Sequence, residues 1–420
     1  MRVCKFGGTS LCDAAAFRQA GAIVRAESDR RILVVSAPGR REPGDEKLTD
    51  LLYACQAAAA AGQPFGHLFD RAAGRFRQIA EQLGLPPPND ALRQVYQGLQ
   101  AGAPAAWAAS RGEWLCAGLF SQYLQLPLLD AAEVIRFDAA GALQADATLS
   151  LLRKALGRLP GCVLPGFYGA DGQGTVHTFP RGGSDVTAAL AAAAVNADVY
   201  ENWKDVRGVF AADPALVPDA RCIADMSYGE LRVLSRLGAR VLHEDAVAPV
   251  RQAGIPLNIR SSAEPRHPGT WIHAAFGPAE RPAAIGVTGL QEVSLLRAEC
   301  LNGGWKLAAE ALAAPGNLLR LAADEDALCL LLKSPDALPA ALTETAQRLR
   351  RQEHLAALSV VGSGLGRAEG AARFSAALSA AGIPVLSLHQ PPEGLYMTAV
   401  IAQADYSPGI RAAYDAFLRP

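Results

Sequence analysis

Arg2-Val3-Cys4-Lys5-Phe6-Gly7-Gly8-Thr9-Ser10 reads as a strand that ends in a double-glycine turn. Arg2 to Phe6 reads as a short buried strand, the glycines let the backbone turn tightly, and a helical pattern starts at Asp13. The end of such a strand gathers backbone N–H groups, two hydroxyls and one ammonium. Together they suit a multiply charged oxyanion such as a nucleotide phosphate. Lys5, Gly7, Gly8, Thr9 and Ser10 are therefore candidate phosphate ligands. The motif is not a Walker-A loop, because its Lys precedes the glycines. A tight turn with a helix cap accounts for the same residues equally well.

The next segments repeat the β-α pattern. Arg31–Ser36 is nearly all apolar, as expected of a strand covered on both faces. A charged loop then leads to Lys47-Leu48-Thr49-Asp50 at a helix start, where Thr49 is either a substrate contact or a cap. Residues 51–125 read as helices, and Ser110-Arg111-Gly112-Glu113-Trp114 places one carboxylate among apolar neighbours. Strands are expected at 133–137 and 162–165 around a helix near 145–157, which makes the sheet largely parallel. Phe179-Pro180-Arg181-Gly182-Gly183-Ser184-Asp185 forms a second glycine-and-hydroxyl turn, entering a helix over 186–195. Arg181 suits a carboxylate bidentately, and Asp185 is a possible partner for Lys5. A strand over 198–203 ends at Lys204-Asp205, the kind of position where open parallel sheets bind ligands. Helices over 226–236 and 239–252, a final strand at 256–260 and the stretch Pro268-Gly269-Thr270-Trp271-Ile272 complete the region.

Past residue 280 the pattern changes to short strands (284–290, 293–297, 326–332) with helices before 315 and near 335–350. A second set follows: strand 357–361, helix 369–382, strands 384–389 and 395–402, and a helix near 407–418. The order β-α-β-β-α is that of a ferredoxin-like unit. The first copy is less regular, with little loop around Asn302-Gly303-Gly304.

Composition excludes several classes. The 420 residues carry 40 basic and 41 acidic side chains and a net charge of −1, so neither nucleic acid nor an anionic membrane is expected as partner. No apolar run approaches the ~18 residues of a membrane span, and the N-terminus has no leader pattern. The eight cysteines are scattered without metal-ligand spacing and suit a reducing cytosol. Lysines number six against 34 arginines, and Lys5, Lys47 and Lys204 sit beside glycine turns, hydroxyls or acids. A compact ammonium is expected to matter where Lys persists in so Arg-rich a chain.

Taken together, KFGGTS (5–10), VVSAPG with KLTDLL (34–39, 47–52), SRGEWL (110–115), PGFYG (165–169), RGGSD (181–185), ENWKDVRGVFAADP (201–214) and GARVLHEDAVAPVRQAGIPLNIR (238–260) resemble the aspartate kinase family. That resemblance implies an α/β chain. Its amino-acid-kinase domain, a mainly parallel sheet between helices, would span 1–275, followed by ferredoxin-like ACT domains at 280–350 (degenerate) and 351–420. It implies transfer of the ATP γ-phosphoryl group to the side-chain carboxylate of L-aspartate, with Mg²⁺ held mainly by the nucleotide phosphates and no protein metal site. The product, 4-phospho-L-aspartate, would begin lysine, threonine and methionine biosynthesis.

By the family pattern Lys5 stabilises the transferring group and Asp185 orients Lys5. Arg181 and Glu113 take the substrate carboxylate and ammonium, with Thr49, Gly182, Gly183 and Ser184 beside them. Lys204, Asp205, Phe210 and Arg240 embrace the nucleotide. The family commonly has Thr at Lys204, Tyr at Phe210, Arg at Ala215 and Lys at Arg240, so the nucleotide side is expected to be rewired. A cytoplasmic homodimer or higher oligomer through the ACT domains is implied, with an altered effector response because the first copy is shortened. A related kinase retuned to another small carboxylate, or an amino-acid sensor with a degenerate kinase domain, are the alternatives.

Overall fold

The computed structural model describes residues 1–180, 182–239, 241–242, 244–274, 282–299, 318–323, 327–333, 348–365 and 369–419. They form two compact units. Residues 1–209, 224–228 and 242–276 make the first; 210–223, 229–241 and 277–420 make the second.

In the first unit the chain runs β1 (Arg2–Phe6), α1 (Ala14–Arg25), β2 (Arg30–Val35), α2 (Leu48–Ala60), α3 (Gly66–Leu83), α4 (Asn89–Gln100) and α5 (Ala105–Leu124). It continues with α6 (Ala131–Val134), α7 (Ala145–Leu156), β3 (Cys162–Pro165), the hairpin β4 (Tyr168–Ala170) and β5 (Val176–Thr178), and α8 (Gly183–Ala194). Last come β6 (Val199–Lys204), β7 (Asp225–Ser227), α9 (Tyr228–Arg236), α10 (Glu244–Gln252), β8 (Leu257–Ser261) and β9 (Thr270–His273), α9 passing into the second unit after Tyr228.

Seven strands form one sheet in the order β3-β2-β1-β6-β8-β9-β7. Strands β3, β2, β1, β6 and β8 are mutually parallel, which requires the helical crossovers that cover their faces. β1 is central, and Lys5 stands between Val34 of β2 and Asn202 of β6. Beneath it Phe6 packs edge-on against Phe120 and stacks with Trp203, and Phe17 meets Phe120 edge-on. Asp13 caps α1, its carboxylate accepting the Ala16 N–H at 2.8 Å.

One expected strand is absent. Residues 133–137 contribute the end of α6 and single bridges from Arg136 to Ala170 and from Phe137 to Leu143. Val134, Ile135 and Phe137 are buried all the same, so their apolar character did not separate strand from coil. The helix expected from 226 also starts later, because Asp225–Ser227 pairs with β9.

The second unit holds a six-stranded antiparallel sheet: β10 (Gly286–Glu299), β11 (Leu318–Ala323), β12 (Ala327–Leu332), β13 (Arg348–Val361), β14 (Ser387–His389) and β15 (Tyr396–Ala402), ordered β11-β12-β10-β13-β15-β14. Helices Glu369–Ala380 and Tyr406–Phe417 accompany it. The two strands expected at 284–290 and 293–297 are one, with its register shifted between Leu290 and Val293 and Glu292 at φ 57°.

β13 begins at Arg348, where a helix was expected, and the boundary drawn at 350/351 falls inside it. Its first seven residues are polar or exposed and carry no alternation. β10 and β13 are long enough to serve both halves of the sheet: β12 and β11 extend one half, β15 and β14 the other. The helices expected before 315 and over 335–347, and the Asn302–Gly304 turn, lie outside the described residues. Among the described residues no helix is long and apolar enough to cross a membrane.

Candidate active site

The site lies at the C-terminal end of β1, where the chain must leave a parallel sheet between two neighbours. Lys5 is buried, and its Nζ lies 2.9 Å from Oδ1 of Asp185, in the first turn of α8. Asn202, beside Lys5 on β6, donates its Nδ2–H to the same oxygen at 3.0 Å and lies 3.2 Å from the Tyr200 hydroxyl. Burial pushes the Asp185 carboxyl up, but the charges of Lys5 and then Lys204 outweigh it and hold the group below the usual carboxylate range. Lys204 is itself pushed down by burial, against the opposing pull of Asp185. Two ammonium groups thus share the field of one carboxylate.

The glycine turn is held by backbone. Gly7 N–H donates to the Trp203 carbonyl at 3.0 Å, so it is not available to a phosphate as its place in the motif had suggested. Ser10 is likewise occupied: its hydroxyl is buried, 2.8 Å from Ser262 Oγ and 3.4 Å from the Trp203 carbonyl. The Gly8 and Thr9 N–H groups have no partner among the described residues, and Thr9 is exposed.

Gly39, in the loop after β2, donates to the Gly8 carbonyl at 2.8 Å. A Cβ on Gly39 would stand 2.6 Å from Gly8 carbon, and one on Gly8 would stand 2.9 Å from the Ala37 carbonyl oxygen. The two loops touch backbone to backbone because neither carries a side chain there.

Glu113 comes from the middle of α5. Gly112 lets that helix approach the same loop, since a Cβ there would meet Ala37 Cβ at 2.8 Å. Glu113 is 6% exposed and its Oε2 is buried without a hydrogen-bond partner. Burial raises its pKa to about 7, against the pull of backbone donors at Ala37 and Glu113 and of Lys5 and Arg111. An unpaired buried carboxylate oxygen is costly unless a cation comes to it. Arg111, also buried, donates to Ser110 Oγ and lies 4.8 to 5.3 Å from the ring centres of Trp107, Trp114 and Tyr168.

The RGGSD turn locks against the PGFYG loop. Gly182 adopts φ 57°, and Cβ atoms on Gly166 and Gly183 would collide with Ser184 and Phe167 at 2.6 and 2.8 Å. Phe167 itself takes φ 80°, its N–H bonded to Thr187 Oγ1. Ser184 is buried at the start of α8, and Thr49 is half-buried in the first turn of α2. Asp205 is exposed just past β6. Phe210 bridges to Cys222 within the second unit. Arg181 and Arg240 lie outside the described residues.

Two contributors escaped the sequence reading. Asn202 steadies Asp185, and Glu201 anchors the neighbouring backbone by accepting from Arg30 (2.7 Å), Arg2 (3.0 Å) and Trp203 Nε1 (3.1 Å). The signal was present in Val199-Tyr200-Glu201-Asn202-Trp203-Lys204: two polar residues in the interior of a buried strand require partners.

Residues 1–261 match the model of the amino acid kinase family. Aspartokinase 3 of Bacillus subtilis is 33% identical over 290 residues, covering 65% of this chain and 63% of that protein. The match thus spans less than two thirds of that relative's length. The crystal structure of Clostridium acetobutylicum aspartate kinase superposes with a TM-score of 0.91 at 32% identity, over 99% of this chain and 100% of that one. Escherichia coli aspartokinase III in complex with aspartate and ADP gives 0.79 at 25% identity, over 100% of both chains.

Proposed function

The chain belongs to the amino acid kinase family, and from that premise we propose that it is an aspartate kinase. The observation that carries this reading is the buried Lys5–Asp185 pair beside the glycine turn, with the unpaired Glu113 oxygen in the same unit. The relatives named for that activity, one of them holding aspartate and ADP, supply the substrates.

In the reaction an oxygen of the aspartate side-chain carboxylate attacks the γ-phosphorus of ATP. The new O–P bond forms as the bond from that phosphorus to the β-γ bridging oxygen breaks, giving 4-phospho-L-aspartate and ADP. A carboxylate needs no base to become a nucleophile, so the barrier lies in bringing anion to anion. Lys5 meets the transferring phosphoryl oxygens, with the Gly8 and Thr9 N–H groups beside it. Asp185 holds the ammonium in place, and Asn202 holds Asp185. Gly7 and Ser10 act one layer back, pinning the turn to Trp203. Glu113 receives the substrate ammonium and Arg181 its α-carboxylate, with Thr49, Gly182, Gly183 and Ser184 shaping the pocket.

Lys204 adds a second ammonium on the nucleotide side, with Asp205 beside it in sequence. Mg²⁺ would be carried mainly by the ATP phosphates, where it would neutralise their charge. The edge strand β11 and the two-part sheet support a homo-oligomer formed through the second unit. The seven described cysteines, all free, suit a cytoplasmic setting.

The test is an aspartyl hydroxamate assay with ATP, Mg²⁺, aspartate and hydroxylamine, run on the wild type beside Lys5→Ala. Hydroxamate from the wild type and almost none from the variant is expected. No product from the wild type would sink the reading.

A further inference from the structure

Arg75 stands on α3, a helix that carries none of the residues assigned to the site above. Its helix neighbours Ala72, Ala73, Phe76 and Ile79 are buried, and Arg75 is itself only 7% exposed. A guanidinium in such a place usually meets a carboxylate in a two-pronged ion pair. This one does not. Asp45 Oδ2 lies 3.8 Å from Nη2, and the Asp45 carboxylate is already occupied. It accepts from Arg41 Nε at 2.9 Å, from Arg41 Nη2 at 3.1 Å, and from the Arg41 and Glu46 N–H groups at 3.1 Å each.

Arg75 donates to backbone instead. Nη1 bonds the Glu46 carbonyl at 3.2 Å, and Nη2 bonds the carbonyls of Gly39 and, at 3.5 Å, Cys12. Its Nε is buried with no hydrogen-bond partner among the described residues. The three carbonyls come from separate stretches. Cys12 closes the 3₁₀ turn Thr9–Leu11 that follows the glycines after β1. Gly39 is gripped from both sides, its N–H on the Gly8 carbonyl at 2.8 Å and its own carbonyl on Arg75. Glu46 directly precedes Lys47, the N-cap of α2, whose first turn carries Thr49. Between these anchors residues 40–44 are exposed. One side chain of α3 thus ties both ends of the loop after β2 to the turn after β1.

We propose that Arg75 is a positioning residue for phosphotransfer: it fixes the 39–46 loop and, through Gly39, the turn that presents the Gly8 and Thr9 N–H groups. This role presupposes the aspartate kinase reading above. A planar guanidinium, with five N–H donors in a fixed fork, bonds three carbonyls at once; a single ammonium on a shorter stem does not span them. For stability alone the arrangement is poor. A buried cation with no close carboxylate and one donor unbonded gives up more hydration than it regains, and an apolar side chain of similar length would serve as well. What the guanidinium supplies is backbone placement, and a displacement of about 1 Å near reacting groups costs about 10² in rate.

Arg75→Met is compared with the wild type in the hydroxamate assay, in urea titrations and in limited trypsin digestion. kcat should fall by about 10² with KM for aspartate nearly unchanged, because the aspartate contact at Glu113 comes from α5. The urea midpoint should stay at the wild-type value. Cleavage after Arg40 and Arg41, both exposed, should quicken about tenfold as the loop comes free. Arg75→Lys keeps the charge and should still lose at least about tenfold in kcat. In Arg75→Ala, about 20 mM guanidinium, far below denaturing levels, should raise kcat about tenfold.

If the Met variant does not fold, Arg75→Lys carries the same comparison. Wild-type kcat in the variant, a loss of kcat that follows a fall in the urea midpoint, or unchanged trypsin cleavage would each overturn the proposal and leave the aspartate kinase reading standing. Absence of turnover in the wild type would remove both.

Discussion

Replacing Glu113 by Gln should make the protein more stable at alkaline pH while disabling it. The side chain is buried, one of its oxygens has no partner, and its carboxyl is raised from 4.5 to about 7. At roughly 1.4 kcal/mol per decade, that shift corresponds to about 3 kcal/mol. Because the folded state holds the proton more tightly than the unfolded chain, this stability is present below pH 4.5 and is lost as pH rises through about 7. The amide cannot ionise, so Glu113→Gln should match the wild type near pH 5 and exceed it by up to about 3 kcal/mol at pH 8 to 9.

Activity should move the other way. The carboxylate is what a substrate ammonium would meet, and kcat/KM for aspartate should fall by about 10² or more in the variant. An arriving ammonium should also expel the proton, releasing about half a proton per aspartate bound at pH 7. Urea titrations at pH 5 and 8, and calorimetry in buffers of different ionisation heat, read these effects. Identical pH dependence of stability in the two proteins, or unchanged kcat/KM in the variant, would refute the reasoning.

Lys5→Met should lower kcat by about 10² to 10³ by removing the cation nearest the reacting phosphoryl group, read in the hydroxamate assay. Asn202→Leu should lower kcat about tenfold with KM for aspartate nearly unchanged, because it frees Asp185 without touching substrate. Glu201→Gln should cost about 3 to 5 kcal/mol in urea denaturation, since it leaves Arg30, Arg2 and Arg260 facing a neutral group inside the unit. Gly39→Ala should cost about 2 kcal/mol or more, its Cβ meeting backbone that cannot swing aside.

What the sequence disclosed follows from how locally each feature is encoded. β2 was legible because a parallel strand buried on both faces needs an unbroken apolar run, and Lys5 and Asp185 stood out at glycine turns. Their partnership was suggested by chemistry alone; that Asn202 would join it depends on β6 pairing with β1, a contact between residues about 200 apart. The phosphate turn was half legible. The motif named Gly7 and Ser10 as ligands, yet hydrogen bonds to Trp203 and Ser262 decide that they hold the loop instead. β13 was missed at its start because Arg348 to Gln352 pair with β10 through backbone while their side chains remain exposed. Nothing in a run of charged side chains reports such pairing.

The contact of Gly8 with Gly39 carries a consequence for how the sequence can change. Each glycine is confined by the other's backbone, so a side chain gained at one position is not accommodated by a compensating change at the other. Both are already the smallest residue, and the pair has no neighbouring solution to drift toward. Change in this part of the chain must therefore run through positions other than this glycine pair.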